Sequence, residues 1–454
     1  MNFVNNHHGN RKTDRIIRDF AWIRIRSYIE GDRMKKKALK SILCLLASVS
    51  MLAGCSNPNE ITADSTTALG TVTETPAPTQ EEAETPTPEP TQEPVTETPT
   101  PEPTQDPYAL PEGQMYSFLT GEPVSAEEGM KKPYCVMINN LQPAVPQSGI
   151  SQADVMYEAM VEGTITRLLA VFQDPAGIEK IGPCRSARHY FVDFNYDMDG
   201  IYCHFGGSPF AFTRFQEDGL TTINGTAYDG SGAFFRTSDR EAPHNAYATG
   251  DGLISIASSL GLGTTHRDGY TGIFSFNHED TPLEDGEGVT EASRVNIPFS
   301  WNMPYFEYHA DDGLYYRFEY DAPQVDQENG QQLAFKNVIV EYVEQGVISE
   351  KGHLDLLLYN VGEGLYITDG KAKNITWVKQ GRDQTTYFTD DSGNTQKINP
   401  GKTMIIYVPV GSTVTFGDEQ PVVGPVSTAG YIPQPGSDQS SYGYGESAEE
   451  AGDS

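Results

Sequence analysis

The sequence predicts an α+β or mixed α/β fold, in which a mixed-sheet N-terminal domain precedes a smaller β-rich domain. Strand-like and helix-like segments alternate between residues 115 and 263, which is typical of a mixed sheet. From residue 270 to 417 short β-rich runs lie between Gly and Asp turns. The flanking segments are rich in Pro, Thr, Gly and acidic residues, so they cannot bury a core. We therefore expect two folded domains, 115–263 and 270–417, between a disordered stalk and a disordered tail.

A bacterial lipoprotein signal begins at Met34, behind a polar and basic extension over residues 1–33. Three lysines, an apolar run too short to span a membrane and the residues Leu-Ala-Gly precede Cys55. We therefore expect translation to start at Met34, a signal peptide over 34–55 and a lipid on Cys55. Acyl chains there would anchor the protein to the extracytoplasmic face of the cell membrane.

The stalk over residues 56–107 is a Thr/Pro/Glu linker with eleven acidic side chains and no Lys or Arg. The sequence ETPTPEPTQ occurs in it twice, thirteen residues apart. Such a chain is extended and polyproline-like, and at roughly 3.1 Å per residue it would reach at most about 160 Å. Residues 418–454 are rich in Gly, Ser, Pro and acid, and they predict a disordered tail.

Charge and cysteine content exclude several classes of function. Residues 1–55 hold 11 of the 31 basic and 4 of the 63 acidic side chains, which leaves residues 56–454 with a formal charge of −39. This charge argues against a nucleic-acid partner and against a basic membrane-docking surface. Cys135, Cys184 and Cys203 lie in or beside apolar strands, and their spacing is not typical of metal ligands. We expect buried thiols and neither a metal site nor a cofactor.

The first domain opens on residues 135–138, whose apolar run predicts a buried strand ending at two asparagines. Residues 151–154 have the spacing of a helix start. If this helix continues, it places Glu158 and Glu162 on one face. Residues 165–172 predict the next strand.

Two strand-to-helix turns follow, and both carry polar residues. In the first turn Ser186 is positioned to cap a helix, with Arg185 and Arg188 beside its start. Unpaired N–H groups, the helix dipole and two arginines would together attract an anion.

The second turn runs from His204 through Gly206 and Gly207 to Ser208, which we expect to cap a helix with Pro at its first position. The glycines would let a ligand approach the backbone closely. Ser208 lacks the Gly-x-Ser-x-Gly context of a nucleophile. A buried core residue and a site residue are equally open for His204.

A polar loop further on contains Arg240, His244 and Asn245, and the predicted strands of the second domain come after it. We expect the loop to join the two turns, because ligands of open α/β sheets gather where strands end. The strands are predicted at 274–276, 315–320, 337–342, 355–359, 375–378 and 403–408.

These residues resemble the YerB-like lipoproteins of Gram-positive bacteria. The resemblance rests on YCVMINN, PQSGISQADVMYEAMVEGTITRLLAVF, IGPCRSARHYFVDF, HFGGS and APHNAY, then on YYRFEY and FKNVIVEYV. Thr164 stands where the family commonly has a second Gly, and Cys184 where it has an aliphatic residue. The resemblance implies a lipid-anchored, two-domain protein; its first domain is classed as one of unknown function.

A shorter segment, ITRLLAVFQDPAGIEKIGPCRSARHYF, is similar to part of the LytR-CpsA-Psr envelope phosphotransferases. Those enzymes hold the pyrophosphate of a polyprenyl carrier with arginines. The similarity implies that Arg167, Arg185 and Arg188 hold a phosphate, since guanidinium groups match phosphate geometry. Ser186 and Ala187 stand near Arg185 where those enzymes place an Asp, which puts metal binding and transfer chemistry in doubt.

Three hypotheses for function follow. The first is a tethered module that binds an anionic ligand, such as a cell-wall glycan or polyprenyl phosphate, or an unidentified protein partner. The second is an envelope hydrolase or phosphotransferase in which Glu158 or Glu162 works with His204 or His244. The third is a scaffold that docks proteins through exposed Tyr and Phe of the second domain. For both glutamates, the alternative is a structural ion pair with Arg167 or Arg188.

Overall fold

The computed structural model describes residues 107–382 and 384–428. The predicted signal peptide, Cys55 and almost all of the stalk lie outside the described residues, as does the tail after residue 428. None of the helices in the described ranges has the length and apolar character needed to cross a membrane.

The first half of the described chain contains both helices and strands. Its helices are α1 (Ala126–Gly129), α2 (Phe191–Asp197), α3 (Pro209–Asp218) and α4 (Gly250–Ser259). Its strands are β1 (Gln114–Tyr116), β2 (Pro123–Ser125), β3 (Tyr134–Asn139), β4 (Val155–Met160), β5 (Thr166–Phe172), β6 (Ile201–His204), β7 (Ile223–Asn224), β8 (Phe234–Arg236) and β9 (Ala246–Ala248).

Within its described residues the second half is built from strands, as the sequence predicts. They are β10 (Ser275–Phe276), β11 (Val289–Glu291), β12 (Arg294–Asn296), β13 (Tyr305–His309), β14 (Leu314–Glu319), β15 (Ala322–Pro323), β16 (Ala334–Phe335), β17 (Asn337–Val343), β18 (Gln345–Val347), β19 (Leu354–Leu356), β20 (Val361–Thr368), β21 (Lys371–Val378), β22 (Tyr387–Thr389), β23 (Lys397–Ile398), β24 (Thr403–Pro409) and β25 (Thr415–Phe416).

One mixed eleven-stranded sheet runs through both halves in the order β11-β21-β20-β17-β24-β4-β5-β3-β6-β7, with β22 also paired to β21. Strand β24 joins the halves, because it pairs in parallel with β17 on one side and with β4 on the other. Every residue of β3, β4, β5 and β24 is buried, as expected for apolar strands covered on both faces. The two predicted domains therefore share one central sheet.

A second, six-stranded sheet contains β12 to β16 and β25. It includes β14, the strand formed by the sequence LYYRFE. Burial alternates along β14, and Tyr315, Arg317 and Glu319 are its buried residues. Two charged side chains thus point the same way as a core tyrosine.

The predicted helix from residue 151 through Glu158 and Glu162 is wrong. The described chain makes one 3₁₀ turn, Ile150–Gln152, and then enters strand β4. The carboxylate of Asp154 accepts from the backbone N–H of Gln173 at 2.8 Å, so it holds β4 against the end of β5 rather than opening a helix. Glu158 and Glu162 consequently do not share a helix face.

The predicted cap at Ser186 is also wrong, since helix α2 begins at Phe191. The chain before it is bound to neighbouring strands: Cys184 N–H donates to Ala246 O at 2.6 Å, and Arg185 N–H donates to Met137 O at 2.9 Å. The cap at Ser208 is confirmed, because its hydroxyl accepts from the N–H of Ala211 at 3.2 Å.

Two further expectations concern the thiols and the tail. Cys135, Cys184 and Cys203 are free and buried, as expected.

The predicted start of the disordered tail at residue 418 differs from the structure, because residues 418–428 are placed along the second half. Val422 bridges Thr413 and Ser427 bridges Gly346, so this segment finds backbone partners that its composition does not reveal.

Glu341 on β17 is a buried carboxyl group in the central sheet, and its titration tests this burial. It is 1% exposed, and burial, with the nearby charge of Asp197, raises its pKa to about 8. Folding therefore retains a proton that the unfolded chain loses above pH 4.5, so the contribution of Glu341 to stability falls as pH rises towards 8.

Glu341→Gln should therefore stabilise the protein increasingly between pH 5 and 8, by at most about 1.4 kcal/mol per pH unit. Urea unfolding across this range would measure the change, with the exposed Glu127→Gln as control. Parallel stability curves for the Glu341 variant and the wild type would contradict the assignment.

Candidate functional site

Arg185 lies between the ends of two parallel strands, β3 and β6. Its N–H donates to Met137 O near the end of β3, and its carbonyl accepts from the N–H of Phe205, just after β6, at 3.0 Å. This is the type of position where ligands of open α/β sheets bind. The side chain of Asn139, the last residue of β3, also lies at this edge.

The Gly206 turn lies directly beside the segment that carries Arg185. Ala187 N–H donates to Gly206 O at 2.9 Å, and a Cβ on Gly206 would lie 3.5 Å from the hydroxyl of Ser186. Gly206 has φ +75°, a left-handed conformation that favours glycine. Gly207 is partly exposed and Ser208 is buried as the cap of α3, so the turn brings Ser186 and the start of α3 together.

His244 is another polar residue at this edge. Its Nδ1 accepts a hydrogen bond from the Asn139 amide at 2.9 Å. Burial lowers the pKa of His244, and the positive charges of Arg185 and Arg240 lower it further. Of the residues that the sequence predicts for the site, Arg185 and Arg240 are thus near enough to act on His244, and Asn139 is an additional residue that the sequence analysis missed.

Arg240 and Asn245 have bonds that support the loop itself. Arg240 donates to the carbonyl of Pro146 at 2.6 Å and to the hydroxyl of Tyr247 at 3.1 Å. Asn245 accepts from Arg236 at 3.1 Å and donates to Thr237 O at 3.0 Å. These contacts fix the loop that presents His244.

Arg188 and Glu162 form the ion pair that the sequence left open as the structural alternative. The Arg188 Nη2 and Glu162 Oε2 atoms are 2.7 Å apart, and Arg188 is 3% exposed. Burial acts to raise the pKa of Glu162, but bonding to Arg188 and the charge of Arg167 lower it to about 2. Glu162 is therefore ionised at neutral pH. Arg167 is also buried and donates to the carbonyl of Ser186.

Glu158 has a different partner, Arg317 on β14, which sequence reasoning missed. Glu158 Oε2 and Arg317 Nη2 are 2.7 Å apart, and both side chains are fully buried. Glu158 Oε1 accepts from Thr166 at 2.7 Å and from the amides of Asn140 and Asn302. Burial keeps Glu158 away from any ligand, which favours its structural role. The available signal was the pattern YYRFEY, which places Arg317 on the same strand face as Tyr315.

His204 is fully buried, and both of its ring nitrogens are engaged. Nδ1 donates to Gly206 O at 2.6 Å, and Nε2 accepts from the hydroxyl of Thr222 at 2.9 Å. Burial lowers the pKa of His204 to about 4, so the ring is neutral at physiological pH. This geometry favours the alternative that His204 is a core residue. Its ring supports the Gly206 turn.

Two large open cavities lie elsewhere, and neither is lined by the candidate site residues described above. One of about 520 Å³ is lined by Tyr196, Glu217, Asp218, Arg267, Arg382 and Gln384. Another of about 750 Å³ lies on strands β20 and β21. In the described ranges no group of three His, Cys, Asp or Glu side chains is arranged to hold a metal ion.

Comparisons with known proteins agree with this architecture. Residues 119–262 match the family described as "Protein of unknown function (DUF3048) N-terminal domain", and residues 295–405 match its C-terminal domain. The chain is 31% identical over 299 residues to "Putative lipoprotein YerB" of Bacillus subtilis (strain 168), covering 64% of this chain and 85% of the relative.

The crystal structure of YerB from Bacillus subtilis is similar, with a TM-score of 0.59 and 29% identity. This similarity covers 66% of this chain and 99% of the YerB chain. These matches thus include both domains in the same order, and they cover most of the length of the relative. The chain belongs to the YerB-like lipoprotein family.

Proposed function

We propose that this protein is tethered to the extracytoplasmic face of the membrane through a lipid on Cys55. Its first domain binds an anionic group of an envelope molecule, of phosphate or glycan type, at the edge formed by Asn139, Arg185 and His244. No metal or cofactor is needed for such binding.

The tether is supported by the Leu-Ala-Gly-Cys sequence at residues 52–55 and by the similarity to a protein named as a lipoprotein. An acyl anchor and a stalk together would keep the folded part close to envelope polymers and to lipid-linked precursors. A membrane-bound carrier phosphate is one anion available in that location.

The observation that carries the binding proposal is the placement of Arg185 and His244 at the end of β3, where Arg185 N–H bonds Met137 O and His244 bonds the Asn139 amide. Burial lowers the pKa of the His244 imidazole, and the positive charges of Arg185 and Arg240 lower it further. An anion bound beside His244 would relieve this repulsion and would favour the protonated ring. The carboxylates of Glu158 and Glu162 bind Arg317 and Arg188, so they belong to other clusters.

Thermal unfolding with inorganic pyrophosphate or a water-soluble prenyl phosphate tests the proposal, at constant ionic strength. Saturation at 100 times Kd should stabilise the wild type by about 2.7 kcal/mol. Arg185→Gln should abolish this stabilisation. Arg294→Gln, which removes a partly exposed arginine of the second sheet, should retain it.

The response should also strengthen as the pH falls below 6.5, because anion binding and protonation of His244 favour each other. Equal stabilisation of the Arg185 and Arg294 variants, or no stabilisation of the wild type by either probe or by wall-glycan fragments, would contradict the proposal.

A further inference from the structure

The second domain has an open groove on the face of the central sheet. Its floor is formed by residues 361–365 of β20 and 374–377 of β21, and residues 410–412 form one side. Glu344, Asn360 and Asp391 also line it, and the volume of the groove is about 750 Å³. This volume lies in the range of ordinary ligand sites.

The floor of this sheet-face groove is built around a glycine and a tryptophan. Gly362 lies directly opposite Trp377 in the antiparallel pair, and a Cβ on Gly362 would lie 2.4 Å from the indole ring. The indole is 1% exposed, and its N–H donates to Tyr342 O at 3.3 Å. Any larger residue at position 362 would therefore displace the tryptophan that supports the floor.

The charged side chains that line the groove are all acidic: Glu344, Glu363 and Asp391. All three are exposed. The charge of Glu363 also acts on Tyr342, whose pKa burial raises and Glu363 raises further. The described lining contains no Lys, Arg or His, so the groove favours a cationic occupant.

Exposed aliphatic surface accompanies these carboxylates. Val361 at the end of the floor is 60% exposed, and Val410 on the side is 46% exposed. Leu365 and Tyr342 are partly buried beside them, while Asn360, Asn374 and Thr376 supply groups that can bond a peptide backbone. This combination suits side chains that carry a positive charge at the end of an apolar stem.

We propose that the sheet-face groove binds a short peptide segment bearing lysine-type side chains. Aliphatic stems lie against Val361 and Val410, ammonium groups approach Glu344, Glu363 and Asp391, and the amide side chains bond the peptide backbone. The groove lies in the second domain and selects the opposite charge from the Arg185 edge, so the two proposals stand independently.

Isothermal titration of the full mature chain in low salt with an acetylated, amidated Ala-Lys-Ala-Lys peptide tests this inference. The same peptide with norleucine in place of lysine should bind at least tenfold more weakly, and so should the peptide with glutamate. Spermidine should also bind at least tenfold more weakly, because it has no backbone to bond.

The double variant Glu363→Gln/Asp391→Asn should lose at least tenfold in affinity for the lysine peptide. The matched control Glu127→Gln/Asp239→Asn removes the same charge from exposed positions outside the groove and should keep wild-type affinity. Equal loss in both double variants, equal binding of the norleucine peptide or equal binding of spermidine would each overturn the proposal. So would absence of binding to the wild type.

Discussion

Replacing Cys55 by Ala should abolish acylation of this protein and prevent its normal processing. Lipoprotein processing requires the cysteine thiol as the acceptor of the first acyl groups, and Ala offers none. Each buried methylene contributes about 0.8 kcal/mol to membrane affinity, so loss of two or three chains removes the dominant anchoring free energy. The variant should therefore accumulate as an unmodified precursor or be released.

Metabolic labelling with a fatty acid, followed by membrane fractionation, would measure this result. Cys44→Ala is a matched control, because Cys44 lies in the apolar run of the same signal and should not be acylated. It should leave labelling and fractionation unchanged. A labelled, diacylated Cys55→Ala protein in the membrane fraction would refute the lipoprotein assignment.

Replacing Arg317 by Ala should cost about 3–5 kcal/mol of unfolding free energy. The guanidinium bonds Glu158 from the central sheet and lies 3.3 Å from Glu319 of its own strand. All three side chains are fully buried. Its removal leaves two carboxylates enclosed without their cation, and each is costly to keep out of water.

Urea unfolding would measure the loss from Arg317→Ala, and Arg294→Ala provides the matched control. Arg294 pairs with Glu307 at 2.8 Å, but both side chains are partly exposed, so its loss should cost at most about 1 kcal/mol. The deficit of Arg317→Ala should shrink at acidic pH, where protonation of Glu319 removes one of the buried negative charges. Burial raises the pKa of Glu319, although the charge of Arg317 opposes this shift. A raised pKa means that Glu319 takes up a proton at a higher pH than an exposed glutamate does.

Comparable losses in the two arginine variants would refute the special role of Arg317. If Arg317→Ala fails to fold, the triple change Glu158→Gln/Arg317→Met/Glu319→Gln should recover folded protein, because it removes all three charges together. Failure of the triple variant as well would show that shape at this position, rather than charge balance, decides stability.

Several features could be predicted from the sequence, because they depend on local chemistry. The buried strands β3, β5 and β24 follow from apolar runs, and the start of α3 follows from Ser208 and the proline after it. The β-rich second half follows from the spacing of its turns. In each case the signal lies within a few neighbouring residues, because apolar periodicity and helix caps act over one or two turns of chain.

Tertiary pairing decided the rest. The segment 155–160 became a strand because it lies between β5 and β24, so its local likeness to a helix start was overridden by the sheet. Glu158 pairs with Arg317, 159 residues away, rather than with the arginines near it in sequence. Arg185 and His244 both lie at the end of β3, because Arg185 N–H bonds Met137 O and His244 bonds the Asn139 amide. The sequence by itself determined which segments are apolar, which ends are capped and where charges occur; only the pairing of distant strands decided which charges meet, because Coulomb interactions depend on distance in space and not along the chain.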